Sequence, residues 1–191
     1  KIMYIANMYY NDGLDKARVR DLTGAVTSLR QSLKFNKNNV DARNLLGLVY
    51  FEMGEMVAAL CEWIISKNLK AEKNVADDYL NYVQSSAARL DSINQTIKKY
   101  NQALIYCHQD SKDMAIIQLK KVLSLNPKFI RAHQLLALLY IDDNIADATT
   151  ENIANHLHLS TKQLARTLKT ALSMTTQEVI VDRRIKKAKK L

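Results

Sequence analysis

The sequence predicts an all-α protein: antiparallel helix hairpins stacked in series, then a short helix-turn-helix segment. Three observations predict it. Gly occurs four times and Pro once in 191 residues, which excludes loop-rich β architectures and glycine-rich phosphate loops. Small residues recur at fixed helical spacings from large apolar ones. Two Ser/Thr-x-x-Gln/Glu signatures near the C-terminus each mark the start of a short helix. The apolar fraction of 48% is enough to build a core and argues against disorder.

The hairpins are read from two patterns. In the first, a small residue is followed three places later by Tyr: Ala6/Tyr9, Gly47/Tyr50, Ala103/Tyr106 and Ala137/Tyr140. In the second, a small residue precedes a large apolar one by four: Ala25/Leu29, Ala59/Trp63 and Ala115/Leu119. The interval from Ala25 to Ala59 equals that from Ala103 to Ala137. The shorter interval from Gly47 to Ala59 equals that from Ala103 to Ala115. Spacings of three and four keep each pair on one helical face, where the small residue admits a neighbouring helix and the large one fills the space beside it. Gly54 separates two helices, and Asn126-Pro127 ends another. Two irregularities stand out. The first unit reads with seven extra residues between Tyr9 and Ala25, around Gly13-Leu14-Asp15. The step from Ala59 to Ala115 is more than half as long again as one repeat, and the surplus lies in 74–92. Helical periodicity there (Ala76, Leu80, Val83, Ala87, Leu90) predicts either an extra helix or an N-terminal extension of the next one.

After Tyr140 the hairpin pattern stops, since Thr149 stands where the next small residue is due. Ile153-Ala154, Leu157 and Leu159 predict a first short helix. Ser160 with Gln163 caps a second helix whose buried positions are Leu164 and Leu168. Thr175 with Glu178 caps a third, running through Val179, Arg184, Ile185 and Ala188 to Leu191. Nine basic and three acidic residues fall in 149–191, a balance that suits a polyanionic partner.

The hairpin residues resemble the tetratricopeptide repeat (TPR) over residues 1–141. The clearest copy is Leu46-Gly47, Tyr50, Gly54, Ala59 and Trp63; a second has Ala103, Tyr106, Ala115, Leu119 and Pro127. The resemblance extends to the period, which in that family is about 34 residues. It implies three to four hairpins and a concave face that takes a peptide or partner protein. Asn44, Leu48, Phe51, Tyr100, Leu104, Cys107, Gln134 and Leu138 would line that face. Residues 140–191 resemble the first half of the DNA-binding module of the arabinose-regulator (AraC) family, through Tyr140-Ile141, Asn144, Ile153-Ala154, Leu157, Leu159-Ser160, Leu164, Arg166, Lys169, Met174-Thr175, Arg184-Ile185, Ala188 and Leu191. Ser173 departs from the Gly usual before the Met, and His158 occupies a turn where Gly is common. This resemblance implies a recognition helix from Ser160 to about Ala171 in the major groove of DNA. Lys162, Ala165, Arg166 and Lys169 would be exposed on it, Ser160 and Thr161 would lie near the backbone, and Arg166 would present a fork to guanine. Arg183, Lys186, Lys187, Lys189 and Lys190 would attract phosphates, and Arg184 would be a further DNA-binding residue. The family module has a second helix-turn-helix, which this chain does not contain.

The two resemblances set the domains at 1–141 and 142–191. They predict a DNA-binding transcription regulator with a TPR interaction domain. The alternative is a TPR scaffold that binds protein and no DNA, the chain being a fragment or a join of unrelated pieces. The start at Lys1 without Met and the end inside a basic helix point to a fragment. Cys61 and Cys107 are too few for a disulfide framework and are expected reduced and half-buried, in a cytoplasmic protein. The longest apolar run, Leu135 to Ile141, is too short to span a membrane. His156 and His158 point to different sides of a helix, and Cys107-His108 lacks companions at ligand spacing, so no metal or cofactor is expected. No nucleophile–base arrangement has supporting context, and no enzymatic activity is expected.

Overall fold

The computed structural model describes residues 2–189, apart from the side chains of residues 170 and 171. Every regular element among them is a helix, and the chain forms two compact units, Lys1–Asn94 and Gln95–Leu191.

Unit 1 begins with α1 (Ile2–Arg18) packed on α2 (Leu22–Phe35), followed by α3 (Val40–Glu52) packed on α4 (Met56–Asn68). The second hairpin stacks on the first through α2 and α3, and α5 (Ala76–Gln84) packs on α4. The Asp21 side chain accepts from Gly24 N at 3.0 Å and Asn39 from Ala42 N at 3.0 Å, so α2 and α3 each begin on a polar cap. Gly54, at φ 75°, turns the chain after α3 in a left-handed conformation that glycine adopts without cost. Ala6, Ala25, Ala42, Ala59 and Ala76 are fully buried, with Leu29, Leu46 and Trp63 filling the space beside them.

The packing corrects the register of the first hairpin. Gly13 faces Leu29 as Gly47 faces Trp63: a Cβ on Gly13 would lie 2.7 Å from Leu29 Cγ, and one on Gly47 would lie 2.2 Å from the indole Nε1. Gly13 precedes Ala25 by the interval that separates Gly47 from Ala59, and it precedes Gly47 by one full repeat. The unit therefore carries no insertion. Helix α1 runs unbroken through Gly13, and Ala6 is a second buried small residue two turns earlier. The true register is hidden in the sequence because Lys16, not Tyr, stands three places after Gly13. Its ammonium pairs with Asp12 at 2.6 Å and donates to Ser28 Oγ at 3.0 Å.

The surplus segment contains both alternatives that its periodicity allowed. It holds an extra helix, α5, and also the start of α6 (Ala87–His108). Helix α5 keeps the repeat register: Ala76, Leu80 and Val83 follow Ala42, Leu46 and Val49 by one repeat and are buried as they are. Ile93, also buried, stands one repeat after Ala59. Helix α6 therefore takes the place of the second helix of one repeat and the first helix of the next, without a turn between them. That fusion leaves the step from Ala59 to Ala115 short of two full repeats.

Unit 2 contains the rest of α6, α7 (Lys112–Leu125), α8 (Ile130–Asp143), α9 (Thr150–His156), α10 (Thr161–Leu172) and α11 (Thr176–Ala188). A continuous core joins Ala103, Ala115, Leu119, Val122 and Ala137 to Ile141, Ile153, Leu164, Leu168, Val179 and Ile180. Helix α8 packs against α7, α9, α10 and α11. Cys107 is partly buried, but Cys61 is exposed on α4, which corrects its half-buried assignment; both are free thiols.

Candidate functional site

The segment after α8 is built by its caps. Thr149 accepts from Asn152 N and starts α9. Ser160 and Gln163 form a reciprocal capping box: Gln163 N donates to Ser160 Oγ at 3.1 Å, and Ser160 N donates to Gln163 Oε1 at 2.9 Å. Thr175 and Glu178 repeat the arrangement at α11. The Thr175 N–H, aided by its hydroxyl, holds the Glu178 carboxyl below the usual carboxylate range. His158 (φ 54°) and Ser173 (φ 55°) both sit in the left-handed region. In this segment the backbone thus makes two left-handed turns, of the kind glycine adopts without strain, with other residues.

Helix α10 buries Leu164 and Leu168 fully and leaves Ser160, Thr161, Lys162, Ala165, Arg166 and Lys169 exposed. Leu164 and Leu168 are one turn apart on the core side, which places Lys162, Ala165, Arg166 and Lys169 away from it. Among the described residues, Lys162, Arg166 and Lys169 form no ion pair.

Helix α11 differs from its reading as a phosphate-attracting surface. Arg184 donates from Nε to the Ile145 carbonyl at 3.0 Å, and from Nη2 to those of Ala146 at 3.2 Å and Ala148 at 3.3 Å. Its guanidinium clasps the α8–α9 loop and does not present a free fork. Arg183 pairs with Asp142 at 3.2 Å, and Lys186 with Asp182 at 2.7 Å. Lys187 and Lys189 are exposed. Lys190 and Leu191 lie outside the described residues.

Asp142 and Asp143 end α8, where the helix dipole disfavours negative charge. Cations from both sides offset this: Arg183 of α11 on Asp142, and Lys112 of α7 on Asp143 at 3.1 Å. The Asp143 carboxylate in turn raises the Lys112 pKa. His156, in the last turn of α9, stacks on Tyr140 of α8 with ring centroids 4.2 Å apart. Burial first, then the Lys120 and His158 charges, lowers its pKa. Sequence reasoning missed the Arg184 clasp and the bracing of α8. Two adjacent carboxylates at a helix C-terminus were the available signal for the bracing, and nothing local signals the clasp.

The residues proposed to line a groove divide into two groups. Asn44 is buried and donates from Nδ2 to Asn74 Oδ1 at 3.0 Å, while its own Oδ1 receives no hydrogen bond. Gln134 donates from Nε2 to the Thr167 carbonyl at 3.0 Å, tying α8 to α10. Both amides are thus at least partly committed inside the fold. Leu48 and Phe51 are half-buried on α3, with the Phe51 ring 6.0 Å from Trp63 and 6.3 Å from Tyr82. In unit 2, Tyr100 packs on Phe129 at 4.9 Å, Cys107 and Leu138 lie against the core, and Leu104 is exposed. Among the described residues no group of three His, Cys, Asp or Glu side chains is placed to hold a metal, and no helix is long and apolar enough to cross a membrane.

Residues 21–54 match the TPR repeat family, which covers α2, α3 and the turn at Gly54. The chain therefore carries a TPR repeat there, within an all-helical array of TPR-like hairpins. It is also similar to the crystal structure of MamA protein, at 22% identity, covering 97% of this chain and 94% of that one, with a TM-score of 0.35. No curated protein matches the chain at the sequence level.

Proposed function

We propose that the protein is a DNA-binding regulator whose helix hairpins engage a peptide or partner protein. The TPR repeat supports the interaction role. One observation carries the DNA-binding role: α10 exposes Lys162, Ala165, Arg166 and Lys169 opposite a buried Leu164/Leu168 seam, between two glycine-type turns. Arg166 reads a base edge in the major groove, worth about 1–3 kcal/mol of discrimination. Lys162, Lys169, Lys187 and Lys189 supply attraction to phosphates. Arg184 is left out of the DNA-contacting set because it holds the α8–α9 loop. The reading places the protein in the cytoplasm and assigns it no catalytic step and no cofactor.

A mobility-shift titration of a random duplex pool at increasing salt tests this reading. Affinity should fall linearly on log axes, with a slope of about −0.9 for each phosphate engaged. Arg166→Ala should relax sequence preference. Absence of binding, or affinity indifferent to salt, removes the DNA-binding role.

The engagement of Arg183, Arg184 and Lys186 inside the unit favours a second reading. In it the chain is a TPR scaffold, and its basic last helix braces the fold. Arg166→Ala then leaves partner capture intact, while Phe51→Ala and Tyr100→Ala reduce it.

A further inference from the structure

The first helices of unit 1 recur at one repeat length, so equivalent positions form columns. One column is Tyr10, Asn44 and Asp78; the next is Leu14, Leu48 and Tyr82. Contacts show that these helices present a shared face. Helix α1 packs against α3, and burial first and then the Asp41 carboxylate raise the Tyr10 pKa there. The Phe51 ring lies edge-on to Tyr82, which puts α3 beside α5. Tyr82 stays 57% exposed, with one face of its ring covered by the Arg89 guanidinium.

The charges of unit 1 are segregated. Helices α1, α3 and α5 hold six carboxylates and three cations, whereas α2 and α4 hold one carboxylate and three cations. All three first-helix cations are paired: Lys16 with Asp12, Arg18 with Asp15, and Arg43 with Glu62. Glu52 is held by Arg20 and Asp77 by Lys67. Among the described residues, Asp41 and Asp78 form no ion pair. Between Tyr10 and Asp78 in the same column stands Asn44, 6% exposed and tied inward to Asn74, so it adds no charge to the face. The Arg89 guanidinium lies 4.2 Å from the Tyr82 ring centroid, so this ring already accepts a guanidinium on its face.

We propose that the α1/α3/α5 face receives an extended peptide in which lysine or arginine alternates with apolar side chains. The apolar side chains lie on Leu48, Phe51 and Tyr82. The cation is attracted by the exposed carboxylates of Asp41 and Asp78. The proposal rests on the protein-interaction reading and is independent of DNA binding. It also runs against the charge of the whole protein, which is +9 and by itself favours anionic peptides.

The test uses the full chain and three labelled dodecapeptides of one apolar pattern, with Lys, Gln or Glu at the alternate positions. Fluorescence anisotropy should rank them Lys, then Gln, then Glu, with roughly three- to tenfold between Lys and Gln at low salt. The double variant Asp41→Asn/Asp78→Asn, altered only at exposed side chains, should bring that ratio close to one. Tyr82→Ala should weaken all three. Tightest binding of the Glu peptide, or a Lys preference that survives the double variant, overturns this inference and leaves the interaction role standing. Failure of every peptide to bind overturns both.

Discussion

Gly47 and Trp63 interlock: the α carbon of Gly47 lies so close to the indole that a methyl group there would sit 2.2 Å from Nε1. The indole cannot easily retreat, because it is 2% exposed, donates to the Asn44 carbonyl at 3.3 Å and stacks on Tyr79 at 5.1 Å. Gly47→Ala should therefore cost about 1–3 kcal/mol in urea unfolding. Gly13→Ala should cost less, since its nearest neighbour is the more compliant Leu29 side chain. Equal losses would show that the two hairpins do not differ in this way.

The Arg184 clasp makes a second prediction. Arg184→Ala removes three donor contacts to the α8–α9 loop, at a cost of about 1.5 kcal/mol. Hydrogen exchange should quicken at residues 145–149. Arg184→Lys should rescue little, because an ammonium cannot span carbonyls arranged for a planar fork.

His156 gives a pH dependence with a definite sign. Its folded pKa lies below the ordinary imidazole value of 6.5. The neutral ring is favoured in the fold, so its contribution is complete above 6.5 and is lost as pH falls through the lower folded value. His156→Phe keeps an aromatic ring against Tyr140 and removes the titration. The difference in unfolding midpoint between the two proteins should change between pH 8 and pH 5, to the disadvantage of the wild type at low pH.

His158 and Ser173 pay a conformational cost at φ 54° and 55°. His158→Gly and Ser173→Gly should each stabilise unit 2 by about 1 kcal/mol, read as a higher melting temperature. Destabilisation by either would mean that its side chain contributes more than the backbone strain removes.

Much of this architecture was legible because small residues, caps and helix breaks act locally. Ser160/Gln163 and Thr175/Glu178 start helices where their spacing says they must, and Leu164 and Leu168 are buried as their spacing requires. Errors arose where one residue type hid an equivalent position. Lys16 in the tyrosine slot shifted the apparent register of the first hairpin by two turns. The fused helix α6 carries no Gly or Pro to mark where one repeat hands over to the next. For the candidate sites, exposure of Arg166 followed from helical periodicity. The inward use of Asn44, Gln134 and Arg184 did not, because each is committed to a backbone or side-chain group fixed by tertiary packing.

The paired aspartates at the end of α8 bear on how the protein can be dissected. Asp142 is neutralised from α11 and Asp143 from α7, while Gln134 further up the same helix is fastened to α10. Severing the chain after Ile141 would strip α8 of Asp142 and Asp143 and deny α9–α11 the wall they lean on. A graft of the last three helices onto another protein would have to carry α8 along, and a graft of α8 would bring the electrostatic demands of both neighbours with it.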